Sequence, residues 1–273
     1  MFVDFGPEKG KEMTRETTVQ RLTKASLERV LGLALVLVAS FGAPVAAQSA
    51  ASDWTFDLAL YGWASGMSGK AGARGVSVEV DESFSDVVEN LEMAGMAGFA
   101  ATNGRWVVLG DTFFAGLGAR KEGQVAKAEI DSNVLILEAD LGYQVGEHVQ
   151  IFGGVRRFDL DNELTLTTGP VERTGEGGEA WVDPLVGLRW GVPIGERGSF
   201  WLRGDVGGFG VGSDLAWNAL AAIGYAVGEK RTTTLALAYR VLDVDYEQGS
   251  GADQFLFDMQ IGGPVLGVIF RFD

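Results

Sequence analysis

The chain has one histidine, no cysteine and many carboxylates, so few chemistries are open to it. His148 lies in the turn-like run Gly146-Glu147-His148. A general base there has no serine at matching depth to activate. One imidazole cannot build a histidine zinc site, and without cysteine there is no thiolate site. No P-loop and no G-x-S-x-G elbow occurs. The run GGFGVG at 207–212 is glycine-rich but ends a strand-like segment, so it reads as a tight loop and not a phosphate cradle. Glu138 and Asp140 share one strand face, as the carboxylates of a glycosidase might. The same spacing of charge recurs all along the chain, which points to a structural role instead. We expect no enzyme activity and no cofactor.

The stretch AWVDPLVGLRWGVP at 180–193 shows what that role is. Asp183, Leu185, Gly187, Arg189 and Gly191 fall on one strand face, and Val182, Val186, Leu188, Trp190 and Val192 on the other. One face is continuously apolar; the other mixes charge with glycine. Lipid outside and a polar lumen inside would produce this pattern. Other strands repeat it, as where Leu135, Leu137, Ala139 and Leu141 alternate with Glu138 and Asp140. A network of lumen charges is therefore expected from Asp57, Asp111, Glu138, Asp140, Arg157, Asp183, Arg189, Arg203, Asp205, Arg240, Asp258 and Arg271. Within it, Arg189 should pair with Asp205 on the adjacent strand. In a narrow lumen such charges compensate one another, which lowers the cost of burial.

The elements that must position these residues are short alternating segments separated by turn chemistry. Ten candidate strands fall near 54–64, 93–102, 105–117, 125–144, 149–160, 180–193, 199–211, 216–227, 232–246 and 254–272. Short connections at Asn103-Gly104, 146–148, 195–198 and 228–230 alternate with longer ones, notably 65–92 and 161–179. The fold class is all-β: a closed antiparallel up-and-down transmembrane barrel of about ten strands, with eight or twelve open to the same count. In the first long connection, DESFSDVVENLE at 81–92 places Phe84, Val87, Val88 and Leu91 at helical spacing behind a Ser83/Asp86 capping signal. A short helix is predicted there, either capping the lumen or packing on a neighbouring loop.

Export is signalled upstream. Residues 30–47, VLGLALVLVASFGAPVAA, form an apolar core after Lys24 and Arg29 and end in small residues. That core is about a dozen residues, short of the roughly twenty needed to span a bilayer. Residues 1–47 read as leader and signal peptide with cleavage after Ala47, leaving 48–273 as the barrel domain. The leader carries six basic and five acidic residues, so 16 basic and 32 acidic remain and the net charge is −16. Such a charge excludes nucleic acid as a partner. No later stretch approaches the roughly eighteen apolar residues of a membrane helix.

The C-terminal run GPVLGVIFRFD puts Pro264, Leu266, Val268, Phe270 and Phe272 on one face. Gly267, Phe270 and Phe272 resemble the recognition signal of outer-membrane barrel assembly, although Asp273 trails the aromatic. Asp258 inward and Val265 inward require a change of parity, which a bulge at Gly262-Gly263 would provide. Together with GYQVGEHVQIFGGVRRF, WVDPLVGLRW, RGDVGGFGVGSDLAWNALAAIGY and YRVLDVDY, this ending resembles small outer-membrane β-barrel proteins of Gram-negative bacteria. The closest likeness is to uncharacterised members with a D-P-x-x-G-x-R strand and a G-P-x-x-G-x-x-x-F ending. The resemblance covers approximately 54–272 and implies fold and location, not an activity. The partners it implies are outer-membrane lipids and lipopolysaccharide, and the barrel-assembly machinery. The leading expectation is a structural barrel or a narrow, occluded channel for small solutes. A periplasmic soluble β-barrel binding a small ligand is the rival, and a lipid-modifying enzyme ranks third.

Overall fold

The computed structural model describes residues 54–73, 76–122, 126–168 and 171–272. The leader, its cleavage point and Asp273 lie outside the described residues. The strands are β1 (Thr55–Trp63), β2 (Gly66–Ala73), β3 (Val76–Glu82), β4 (Leu91–Thr102), β5 (Trp106–Glu122) and β6 (Ala126–Gln144), followed by β7 (Val149–Thr168), β8 (Val171–Ile194), β9 (Gly198–Gly208), β10 (Leu215–Val227), β11 (Thr233–Gln248) and β12 (Phe255–Phe272). The helix α1 (Phe84–Glu89) joins β3 to β4.

Consecutive strands from β4 to β12 pair antiparallel, and β1 closes the ring by pairing with both β4 and β12. β1 and β2 keep a single register against β12, from Phe56 opposite Phe272 to Ala73 opposite Phe255. They form one wall strand interrupted at Ala64 and Ser65, so the barrel wall has ten strands. Closure leaves no sheet edge in the paired part of the wall, which is how strands can cross lipid. Followed once around the ring, the pairing that starts at Phe56 returns at Ser68, twelve residues along the same strand. That stagger tilts the strands and widens the lumen.

Turn chemistry closes the short-turn end. Asn103 Oδ1 accepts from the backbone N–H of Arg105 at 3.1 Å and of Trp106 at 2.8 Å, while Gly104 adopts φ +82°. The opposite end differs from expectation. Residues 161–179 form no loop: β7 and β8 continue as a paired hairpin up to Thr168 and Val171. Its β8 arm, VERTGEGGE, is polar and glycine-rich on both faces and lacks the alternation used to find the rest, whereas in β7 Leu164 and Leu166 keep the parity of Leu160. The 65–92 connection likewise contains the β2–β3 hairpin as well as α1. Ser83 caps α1 in a capping box with Asp86, whose hydrogen bonds from Ser83 hold its carboxyl below the usual carboxylate range. No residue of α1 is buried, and its contacts are with β2 and β3, so it packs on the neighbouring hairpin instead of plugging the lumen.

The outward face is apolar over a defined height. On β8 the outward residues run Ile194, Val192, Trp190, Leu188, Val186, Pro184, Val182, about 30 Å at ~3.3 Å per residue and ~40° tilt. Val186, Leu188 and Ile194 are each more than half exposed. A soluble protein seldom leaves such a belt uncovered. Aromatic pairs lie towards the short-turn end of this belt: Trp106 on Tyr143 at 5.1 Å and Trp190 on Phe200 at 5.9 Å. Val186→Arg should weaken the barrel by about 2–4 kcal/mol in lipid vesicles. Glu229→Arg, in a short turn, should leave urea unfolding in the same vesicles unchanged.

Candidate functional site: the charged lumen

The lumen is crossed at mid-height by a continuous ion-pair network. Arg156, fully buried on β7, donates from Nε to Glu138 Oε2 at 2.7 Å and from Nη2 to Asp205 Oδ1 at 2.7 Å. Arg203 on β9 reaches Glu138 Oε1, Asp140 Oδ2 at 3.2 Å and Asp205 Oδ2 at 3.3 Å, with its guanidinium 4.7 Å from the Phe152 ring centre. Asn218 donates to Asp205 at 2.8 Å and accepts from Arg240 Nε at 2.9 Å. Arg240 also donates to Asp111 at 2.9 Å and to the Tyr61 hydroxyl at 3.2 Å, and Tyr61 donates to Asp111 at 2.8 Å. One chain of contacts therefore links β1, β5, β6, β7, β9, β10 and β11.

Arg156, Arg203 and Arg240 face Asp111, Glu138, Asp140 and Asp205. Arg189 points into the lumen on β8 but makes no ion pair among the described residues. Its register partner on β9 is Arg203, while Asp205 sits opposite Gly187. The expected Arg189–Asp205 pair is thus not formed, because Arg203 already occupies the near side of Asp205.

Asp183 takes a different role. It is fully buried and accepts from the Ser213 backbone N–H and hydroxyl, each at 2.7 Å. Trp181 Nε1 donates to the same hydroxyl at 2.9 Å. Ser213 belongs to the β9–β10 connection, so this carboxylate pins that connection against the wall of the barrel. Above it Phe158, Trp181 and Tyr246 stack with ring centres 4.9 and 3.9 Å apart. Near the short-turn end, Arg271 holds Asp57 in a two-bond fork of 2.8 Å each.

Two residues expected in the lumen are outside it. Arg157 faces outward and pairs with Asp159 at 2.7 Å. Arg156 takes the inward position, sharing parity with Phe152, Phe158 and Leu160. The inner face of β7 is partly apolar, so hydrophobicity could not tell its faces apart. Asp258 is also exposed, opposite Asp245 and Lys70, beyond the apolar part of the strand, where water solvates an outward carboxylate. Met259 and Ile261 face inward in its place, and β12 runs in unbroken register. The parity change and its bulge at Gly262-Gly263 are therefore absent. Gly267 faces inward opposite Tyr61; Phe270 and Phe272 face outward opposite Leu58 and Phe56. Asn218 and Tyr61 were missed because neutral polar residues carry no charge signal, although their parity is that of Arg240 and Asp57.

His148 lies in the β6–β7 turn, 3.9 Å from Glu147. No cluster of three or more His, Asp or Glu side chains suited to a metal occurs among the described residues.

No protein-family model matches the chain, and no curated protein matches it. Solved structures resemble it in fold. The translocator domain of the autotransporter NalP from Neisseria meningitidis is 14% identical, with 92% of this chain and 98% of that one covered and a TM-score of 0.40. Ail, the attachment invasion locus protein of Yersinia pestis, is 11% identical over 80% of this chain and 98% of that one, with a TM-score of 0.36. Neisserial surface protein A is 11% identical over 80% and 97%, with a TM-score of 0.31.

Removing the Arg240 guanidinium takes from Asp111 its cationic partner and leaves it the Tyr61 hydroxyl. Arg240→Met should cost about 3–5 kcal/mol, and adding Asp111→Leu should recover part of it. A double-mutant cycle on Arg156 and Glu138 should give a coupling above about 1 kcal/mol, and one on Arg189 and Asp205 a value within about 0.5 kcal/mol of zero. Unfolding in detergent or lipid reads both.

Proposed function

We propose that this protein is an outer-membrane β-barrel with an occluded lumen, structural in role or passing only small solutes. The observation carrying the reading is the network of Arg156, Glu138, Arg203, Asp205, Asn218 and Arg240, which crosses the mid-lumen inside a wall with an apolar outer belt. Ten strands lie between the eight that side chains just fill and the sixteen or more that leave an open channel. Here long arginines, not short aliphatics, take up the additional width. The belt favours membrane insertion over a soluble periplasmic barrel, whose exposed face would be polar. Outer-membrane lipid and lipopolysaccharide are the expected surroundings, with Gly267, Phe270 and Phe272 in the strand that the assembly machinery would engage.

Gel mobility before and after boiling tests insertion: the folded barrel should resist SDS until heated, and the protein should fractionate with outer membranes. Recovery in the soluble periplasmic fraction would sink the reading. In planar bilayers the native protein should show no steady open-pore conductance. Arg156→Ala combined with Arg203→Ala should raise solute leak in reconstituted vesicles several-fold, provided heat-modifiable mobility is kept. An open pore in the unmodified protein would refute occlusion.

A further inference from the structure

The wall is not zipped along its whole length. β1 and β4 pair only from Thr55 opposite Thr102 to Leu60 opposite Ala97. Above that point β2 takes β3 as its neighbour instead of β4. The edges of residues 61–66 and 91–96 thus face each other without a ladder, over about 20 Å at ~3.3 Å per residue. In place of a carbonyl, the Trp63 backbone N–H finds the Met96 thioether sulfur at 3.2 Å, a weak acceptor on a flexible arm. Gly62 and Gly95, the positions that would oppose each other if the register continued, are both open to space. The buried Trp63 indole Nε1–H has no acceptor among the described residues.

Unpaired strand edges are costly in lipid, and so is a buried donor without a partner. The seam also continues the outward belt at Leu58, Leu60 and Phe99, all exposed. Inside it lie Trp63, Phe113 and Met96, part of the apolar lumen cluster above the ion pairs. From these observations we infer that the β1–β4 seam is a lateral docking site for one acyl chain of a membrane amphiphile, whose acceptor head takes the Trp63 indole N–H. This rests on the membrane reading proposed above. The tail would lie against Leu60 and Phe99, as the neighbouring lipid does, and the head would pass Met96 in the seam to reach the donor that the protein leaves unmatched. A carboxylate or ester head meets that need; a hydrocarbon does not.

The absence of cysteine makes the seam simple to lock. Gly62→Cys with Gly95→Cys, oxidised in reconstituted vesicles, should lower the association of spin-labelled stearic acid, relative to bulk phospholipid, by about tenfold, and reductant should restore it. Trp63→Phe should weaken the same probe about tenfold, the scale of one hydrogen bond to a charged group, while a spin-labelled hydrocarbon of equal length is unaffected. Unchanged stearic acid association in the oxidised pair would overturn the inference. If the pair does not oxidise, unchanged association in Trp63→Phe would do so. Disulfide-linked dimers from Gly95→Cys alone would mean that the edge serves a second copy of the chain, which also overturns it. Heat-modifiable mobility of the same vesicle samples reports separately on membrane insertion, so a failed barrel and a failed seam give different results.

Discussion

The structure depends on guanidinium groups buried where water is scarce. A lone charge moved into such a place is heavily penalised, and the Coulomb gain repays that only when geometry and hydrogen bonding are good. Here each central arginine meets at least one carboxylate, and Arg203 meets three. The partners come from strands far apart in sequence, so the network can be satisfied only once the ring has closed. Arg240 on β11 and Tyr61 on β1 are separated by 179 positions yet share a hydrogen bond. Closure and charge compensation are therefore coupled: each makes the other affordable.

The two halves of the lumen divide the work. Below the mid-section, small residues such as Ala222, Gly224 and Ala236 leave room for the larger side chains that cross them, as where Trp201 lies over Gly224. Above it, the Phe158–Trp181–Tyr246 stack fills the width with flat rings, and Asp183 fastens the β9–β10 connection through Ser213. Stacked rings and a pinned connection thus lie at one end, with an ion-pair layer beneath. The discontinuity in the wall is lateral, at the β1–β4 seam, where Met96 sulfur stands in for a ladder carbonyl.

Much of this was legible in the residues. Strict alternation identified the outward belt, and turn signals such as Asn103-Gly104 located the short connections, because both depend only on neighbours along the chain. Strand ends were harder. The β8 arm of the β7–β8 hairpin, residues 171–179, is polar and glycine-rich on both faces and reads as a loop. In the β2–β3 hairpin only β2, GMSGKAGA, is glycine-rich and low in hydrophobic contrast; β3, VSVEVDE, alternates Val with Ser, Glu and Asp and was legible as a strand.

What the sequence alone determined was parity on most strands, and with it the inward position of Asp111, Glu138, Asp140, Asp183, Arg203, Asp205 and Arg240. Parity is a local property of an extended backbone, so it survives without any knowledge of partners. The tertiary structure decided which charges meet. Arg156 displaced Arg157 because the apolar outward run of β7 stops at Val155, and Arg189 lost Asp205 to Arg203 because inter-strand register put Gly187 opposite that carboxylate. Register and stagger arise from closing ten strands into one ring, a global constraint that no single strand contains.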